Sequence, residues 1–153
     1  MGRVYSRMVS PKRELRKVGL TVTMSRIKVL DILASAQTES RHLRAEEIYK
    51  CLMSTGNSMS VGTIYRVLAQ LEMAGLVVRH NFDTGQARYE LTGDDRHDHM
   101  VCMDSGEIIE FRDQKIIEQQ ERIAKEQGYE LVDYRLVLFV RKDIRTEKSI
   151  GGA

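Results

Sequence analysis

The stretch VGTIYRVLAQLEMAGLVVRHNFDTGQARYEL, residues 61–91, decides the predicted fold. Its first part places apolar residues at helical spacing, namely Val61, Ile64, Val67, Leu68 and Leu71. Ser60 is a suitable N-cap, and Gly75 stands where a left-handed residue closes a helix. We therefore predict a helix from about Ser60 to Ala74.

The second part of this stretch alternates between apolar and polar residues. LVVRHNF and QARYEL flank Asp83-Thr84-Gly85, whose residue types tolerate unusual backbone angles, so the pair predicts a β-hairpin. Upstream, an apolar stripe after the candidate N-cap Thr23 predicts one helix, and residues 45–53 predict another. Three helices followed by a hairpin indicate a winged helix-turn-helix.

The polar face of the third helix is the best candidate for DNA recognition. It carries Thr63, Arg66 and Gln70, with Tyr65 at its flank. These side chains can contact phosphates or base edges. Charge agrees with this reading, because residues 1–93 hold 14 basic and 8 acidic residues, a balance of +6, whereas residues 94–153 hold 10 and 14, a balance of −4.

The remaining chain predicts a small β-β-α-β unit. Strands are expected at 99–103 and 107–111, a helix at 114–127 and a long strand at 129–140, followed by a frayed tail from Arg145. The strongly apolar last strand favours dimerisation, although packing within one chain stays open. The predicted class is α+β, with a winged-helix DNA-binding domain at 1–92 and a small α/β dimerisation domain at 93–153 that ends in a disordered tail.

The cysteine content and hydropathy limit the class of protein. Cys51 and Cys102 have no nearby second cysteine, so we expect neither a disulfide scaffold nor a thiolate zinc clip. No apolar run approaches the roughly 20 residues of a membrane span, and the N-terminus does not resemble a secretory signal. We expect a cytoplasmic protein without membrane association.

Two of the four histidines indicate a metal site. His97 and His99 are two residues apart, so on an extended backbone both imidazoles leave one face, while Cys102 points to the other. Glu90 and Glu110 lie close enough in sequence to approach this pair. Such nitrogen and oxygen donors suit Fe2+, Mn2+ or Zn2+.

These segments resemble the ferric uptake regulator family over about residues 11–140. The stretch at 61–91 and the segment RHDHMVCMDSGEIIEF carry the resemblance, with support from GLTVTMSRIKVLDIL and HLRAEEIYK. The resemblance implies one divalent metal per protomer, bridging the two domains, at His42, Glu90, His97, His99 and Glu110. It also implies that Tyr65 and Arg66 enter the major groove and that Arg26 lies near the DNA backbone.

The chain departs from the family pattern at several positions. The family's second metal site, formed by His, Asp, Glu and His, aligns with Arg96, Asp98, Ile117 and Tyr134, so we expect it to be absent. A structural zinc site of four cysteines is not expected either, because its first pair is Cys102 and Ser105 and no C-terminal cysteine exists. Thr21 replaces a lysine that some relatives send into the minor groove, and Arg44 replaces a Ser-type helix cap.

The predicted function is an Fe2+-activated dimeric repressor of iron-uptake genes that binds an AT-rich palindromic operator in double-stranded DNA. Mn2+ or Zn2+ could substitute for Fe2+, and dimers could pair into tetramers. A manganese-responsive regulator of the same family is the nearest alternative. A metal-dependent hydrolase is the alternative from another class, but no catalytic set is visible and five ligands leave little room for an activated water, so we expect no enzyme. A winged-helix protein whose DNA binding does not depend on metal is the third alternative.

Overall fold

The computed structural model describes residues 10–82, 85–93 and 96–145. The backbone divides into two compact units, with the boundary between residues 95 and 96. Within the described residues, the first unit contains four helices and a two-stranded sheet, and the second contains one helix and a three-stranded sheet. This architecture confirms the predicted α+β class. No helix in these ranges has the length and apolar character needed to span a membrane.

The helices of the first unit are α1 (Pro11–Lys17), α2 (Met24–Thr38), α3 (Ala45–Ser54) and α4 (Val61–Met73). The last three confirm the predicted helices, with both ends of α3 and α4 and the start of α2 correct to within one residue. The end of α2 was wrong, because this helix continues to Thr38, into the segment AQTESRHLR that the sequence predicts as a loop. The sequence did not predict α1, because Leu15 is its single large apolar residue and gives no periodicity. Pro11 favours the first turn of α1, and Leu15 is fully buried in the core of the unit.

Side-chain caps fix where these helices begin. The hydroxyl of Thr23 accepts the backbone N–H of Arg26 at 3.3 Å, and the hydroxyl of Ser60 accepts that of Thr63 at 3.2 Å. At α3 the unusual Arg44 has no acceptor to offer. Instead its own backbone N–H donates to Glu47 Oε2 at 2.8 Å, which is the reverse half of a capping box. The start of α3 therefore needs Glu47 rather than a serine.

The core of the first unit lies between α2, α3 and α4. Leu30, Ile48 and Leu68 are completely buried there, one from each helix. On α4 the predicted apolar face is buried from Ile64 to Leu71, while Tyr65, Arg66 and Gln70 remain exposed. Burial thus fixes the rotation of α4 and leaves the polar face outward.

The predicted hairpin is confirmed. Strand β1 (Val77–His80) pairs antiparallel with β2 (Arg88–Leu91), in a register that sets Val78 opposite Glu90 and His80 opposite Arg88. Of the predicted turn, Asp83 and Thr84 lie outside the described residues, and Gly85 has a φ of 90°. That angle favours glycine.

The second unit confirms the predicted β-β-α-β order. It consists of β3 (Asp98–Cys102), β4 (Ile108–Phe111), α5 (Gln114–Glu126) and β5 (Val137–Val140). The sheet order is β4-β3-β5, with β4 antiparallel and β5 parallel to β3. A carboxylate of Asp113 caps α5, and Gly128 follows it with a φ of 85°. The central strand β3 therefore carries the pairing for both neighbours.

The prediction of one long strand over residues 129–140 was wrong. Only residues 137–140 form β5, because its partner β3 offers just four paired positions, from His99 opposite Val137 to Cys102 opposite Val140. Within the described part of the chain, residues 129–136 form no strand and adopt irregular structure. The predicted tail lies outside the described residues from position 146 onwards.

The second unit leaves a large apolar surface exposed. No residue of α5 is buried, and Ile123 is half exposed. On the edge strand β5, Phe139 is also 50% exposed, and Val132 before it is 86% exposed. A protomer alone therefore covers this surface poorly, which is typical of a face that packs against another molecule.

Candidate metal centre and DNA-binding surface

The first unit brings His42 and Glu90 together. Their approach is fixed by the backbone, because Leu43 and Tyr89 exchange two hydrogen bonds, of 3.1 Å and 2.8 Å, that attach the loop after α2 to β2. As a result, His42 Nε2 lies 3.0 Å from Glu90 Oε2, and the two side chains are 1% and 8% exposed. A buried imidazole and carboxylate thus face one another.

Glu90 also contacts His80, to which sequence reasoning assigned no role. His80 Nε2 lies 2.6 Å from Glu90 Oε1, and both residues are buried. The register of the hairpin is the feature that indicates this contact between His80 and Glu90. Since Val78 faces Glu90 across the strands, His80, two positions further along β1, is its diagonal neighbour on the same face.

The second unit brings His97, His99 and Glu110 together. His97 Nε2 lies 3.5 Å from Glu110 Oε1, and the rings of His97 and His99 are 4.9 Å apart between centroids. His99 pairs directly with Glu110 across β3 and β4. Each of the three residues offers a ligand atom within 4.8 Å of those of the other two. The sheet register therefore gathers three of the predicted donors.

The donors of both units fit a first-row divalent cation. Imidazole nitrogen and carboxylate oxygen are the ligand types that Fe2+, Mn2+ and Zn2+ accept. Two atoms each about 2.1 Å from one ion lie about 3 Å apart when they subtend a right angle. The 3.0 Å separation of His42 Nε2 and Glu90 Oε2 matches that spacing. No cysteine belongs to the donor group found among the described residues.

The positions of the family's second metal site are engaged in other contacts. Arg96 donates to Asp133 at 2.8 Å and stacks over the ring of Tyr134, with its guanidinium carbon 5.0 Å from the centroid. The Tyr134 hydroxyl donates to Asp98 Oδ2 at 3.4 Å. Burial raises the pKa of Asp98. A guanidinium and a phenol thus stand where the family pattern has two imidazoles.

The exposed face of α4 carries Tyr65 and Arg66. Tyr65 is 45% exposed, and its hydroxyl donates to Glu46 Oε1 at 2.8 Å. A backbone N–H and this hydroxyl hold the pKa of Glu46 below its ordinary value. Arg66 donates to Thr63 Oγ1 at 3.3 Å. The predicted recognition residues therefore lie on an accessible helix face.

Arg26 joins this face to the start of α2. Its Nε and Nη2 atoms donate to Gln70 Oε1 at 3.2 Å and 3.0 Å, and Nη1 donates to the carbonyl of Thr21 at 2.6 Å. The structure thereby gathers Arg26 and Gln70, which are 44 positions apart in sequence. A groove between α4 and the hairpin lies nearby and includes Arg79, a cation that the sequence analysis did not single out.

A winged-helix fold with an exposed helix face that carries Tyr65 and Arg66, joined in one chain to clustered histidine and glutamate donors, defines a metal-responsive DNA-binding regulator. The comparisons with known proteins assign the family. The model of the ferric uptake regulator family matches residues 17–139. The ferric uptake regulation protein of Pseudomonas aeruginosa is 57% identical over 129 residues, covering 84% of this chain and 95% of that protein.

Two solved structures agree. The ferric uptake regulator from Pseudomonas aeruginosa with manganese has a TM-score of 0.78 at 55% identity, covering 87% of this chain and 98% of that one. The ferric uptake regulator from Francisella tularensis with iron has a TM-score of 0.72 at 32% identity, covering 82% and 93%. The chain belongs to the ferric uptake regulator family and is a metal-responsive transcription regulator.

Proposed function

We propose that this protein is an Fe2+-activated dimeric repressor of iron-uptake genes. One observation carries the proposal: within the described residues, the candidate metal donors gathered in each unit are imidazoles and carboxylates, and the unit with His42 and Glu90 also carries the exposed helix α4. The relative from Francisella tularensis, whose structure contains iron, supports the choice of ion. Such a chain couples metal binding to DNA binding without turnover.

The coupling follows from the distribution of donors between the units. His42 and Glu90, by binding the same ion as His97, His99 and Glu110, would hold the DNA-binding domain at a fixed angle to the dimerisation domain. A bound divalent ion would supply positive charge that attracts the imidazole and carboxylate donors of both units. An effector that favours one arrangement raises DNA affinity by its preference for that arrangement. We place these two domains at residues 1–92 and 93–153.

Five residues form the proposed DNA-binding surface: Arg26, Thr63, Tyr65, Arg66 and Gln70. With α4 in the major groove, Arg66 binds a phosphate or a guanine edge, and Tyr65 contacts a thymine methyl group. Arg26, which already touches Gln70, lies beside the DNA backbone. A dimer presents two copies of this surface and therefore favours a palindromic operator in double-stranded DNA. The contact of Tyr65 with a thymine methyl group favours an AT-rich operator sequence.

We propose one divalent ion per protomer. The contacts of Arg96 and Tyr134 around Asp98 support the loss of the second site, since neither residue supplies a neutral imidazole. Ser105 in place of a cysteine supports the absence of a four-cysteine zinc site. Elemental analysis of the purified protein should find one tightly bound equivalent. A second stoichiometric ion of high affinity would contradict this proposal.

A manganese-responsive regulator is the second candidate. Hard nitrogen and oxygen donors bind Mn2+ as well as Fe2+. The similar structure from Pseudomonas aeruginosa contains manganese, which gives this candidate a specific basis.

An anaerobic titration tests the proposed function. Fe2+, Mn2+ and Zn2+ are added separately while binding to a candidate operator duplex is followed, with a scrambled duplex as control. Fe2+ should raise operator affinity at the lowest free concentration. A response to Mn2+ alone would favour the second candidate, and the absence of any metal response would reject both.

A further inference from the structure

His80 is a buried histidine outside the five proposed ligands. Its side chain is 10% exposed, and its Nε2 lies 2.6 Å from Glu90 Oε1. The carboxylate is an acceptor, so the imidazole N–H donates. His80 belongs to the first unit together with Glu90, and the paired strands β1 and β2 fix their separation.

The His80 ring is held in one orientation by an aromatic neighbour. It stacks on Phe82, with 5.0 Å between centroids and 12° between planes. Phe82 itself is only 1% exposed. A ring that packs on a buried phenylalanine has little freedom to turn, so the direction of its N–H is fixed.

The two oxygens of Glu90 face two different histidines. Oε1 lies against His80, whereas Oε2 lies 3.0 Å from His42 Nε2, a ligand atom of the proposed site. Oε2 is therefore the oxygen that faces His42, the other proposed donor of this unit. A carboxylate with one oxygen held in this way has a defined orientation before any ion binds.

We propose that His80 is a positioning residue of the metal site: by holding Oε1, it directs Oε2 of Glu90 to the ion and keeps Glu90 a one-oxygen ligand. The inference rests on the proposed function, since that assigns Glu90 to the site. Partners that orient ligands from outside the coordination shell typically change metal affinity by about 10- to 100-fold.

Two substitutions separate the N–H donor from the ring. His80→Phe keeps an aromatic ring on Phe82 but removes the donor, whereas His80→Gln supplies an amide N–H of comparable reach. Full-length protein without DNA is titrated with Co2+, whose d–d absorption reports coordination. We expect His80→Phe to weaken Co2+ binding by about 10- to 100-fold and to alter the spectrum. His80→Gln should recover most of both.

Controls show whether the effect passes through Glu90. In a Glu90→Ala background, His80→Phe should cause no further loss of Co2+ affinity, whereas additive losses would overturn the proposal. Tyr134→Phe removes the phenolic hydroxyl that donates to Asp98, a carboxylate outside the five ligands. This control should leave Co2+ affinity unchanged.

Thermal unfolding of the metal-free variants checks that they fold. If His80→Phe does not fold, His80→Asn takes its place, because its shorter amide does not reach Glu90. If His80→Phe, or His80→Asn in its place, keeps the Co2+ affinity and spectrum of the parent, the positioning role of His80 is wrong, but the metal site stands. A parent protein that does not bind Co2+, Mn2+ or Fe2+ would instead overturn the metal site and this inference together.

Discussion

Arg66 is the side chain of the recognition helix that best tests DNA binding separately from metal binding. Arg66 is exposed on α4 and touches only its neighbour Thr63 among the contacts described above. Its guanidinium has the fork of donors that phosphate and guanine accept. The residue can therefore be changed without opening the core.

Arg66→Ala should weaken operator binding. If Arg66 neutralises a phosphate, the substitution lowers the affinity for all duplexes and reduces the salt dependence of binding. If Arg66 reads a base, the substitution instead removes about 1–3 kcal/mol of discrimination at one base position. Metal affinity should not change. Binding isotherms at several salt concentrations, on operator and scrambled duplexes, distinguish the two cases.

Arg122→Ala is the matched control, because Arg122 is an exposed arginine of the second unit that pairs with Glu126 at 2.9 Å. Its removal should leave operator affinity unchanged. Equal operator affinity for Arg66→Ala and the parent would remove α4 from the recognition role.

Sequence reasoning reached the candidate donors but not their surroundings. The spacing of His97 and His99 indicates convergence because a strand alternates its side chains. The position of His42 could not be derived this way, since it depends on the hydrogen bonds between Leu43 and Tyr89. The contact between His80 and Glu90 needs the exact hairpin register, which a pattern of alternation alone does not fix.

Helix α4 has one buried face and one exposed face. Leu68 is completely buried against the core, while Met73, near the end of the same helix, is 92% exposed. The recognition face keeps its orientation only as long as the buried face holds the helix in place.

Leu68→Ala should lower the free energy of unfolding by about 2–5 kcal/mol, because it removes buried methyl groups and leaves a cavity. Met73→Ala should change it by less than about 0.5 kcal/mol. Chemical denaturation of the metal-free protein, followed by circular dichroism, gives both values. Equal losses for the two variants would contradict the assignment of the buried face.

The predictable elements are those with signals in their own residues. The helices α2 and α4 carry caps at Thr23 and Ser60, and both begin where these residues predict. The length of β5 depends instead on how many positions β3 offers, which an apolar run cannot reveal. The short helix α1 was not predicted, because its stability comes from Leu15 in the core rather than from a repeated apolar pattern.

The exposed apolar surface of the second unit is the proposed dimer interface. Phe139 lies on the edge strand β5 and is half exposed, as is Ile123 on α5. Burial of such surface contributes roughly 25 cal/mol for each Å² removed from water. A second copy of the chain would cover it.

Phe139→Glu should therefore favour the monomer, because a carboxylate in an apolar interface is desolvated without a partner. Met73→Glu introduces the same carboxylate at an exposed apolar residue of the first unit and should leave the dimer intact. Sedimentation velocity over a range of concentrations measures the shift. A dimer as stable as the parent in Phe139→Glu would place the interface elsewhere.

The regulatory account requires that one ion be held by both units. His42 is the imidazole that the first unit contributes to the proposed site, so His42→Ala removes that unit's nitrogen donor. His97, His99 and Glu110 can still retain an ion, and the dimer should survive. An ion held mainly by one unit has little influence on the arrangement of the two.

Operator affinity of parent and His42→Ala, each measured with and without Fe2+ or Mn2+, tests this requirement most directly. In the parent, the metal should improve operator binding by about 1–3 kcal/mol, the usual size of such coupling. In His42→Ala this difference should fall towards zero, while metal-free binding stays at its weak baseline. A variant that keeps the parent's full metal response would contradict the bridging site.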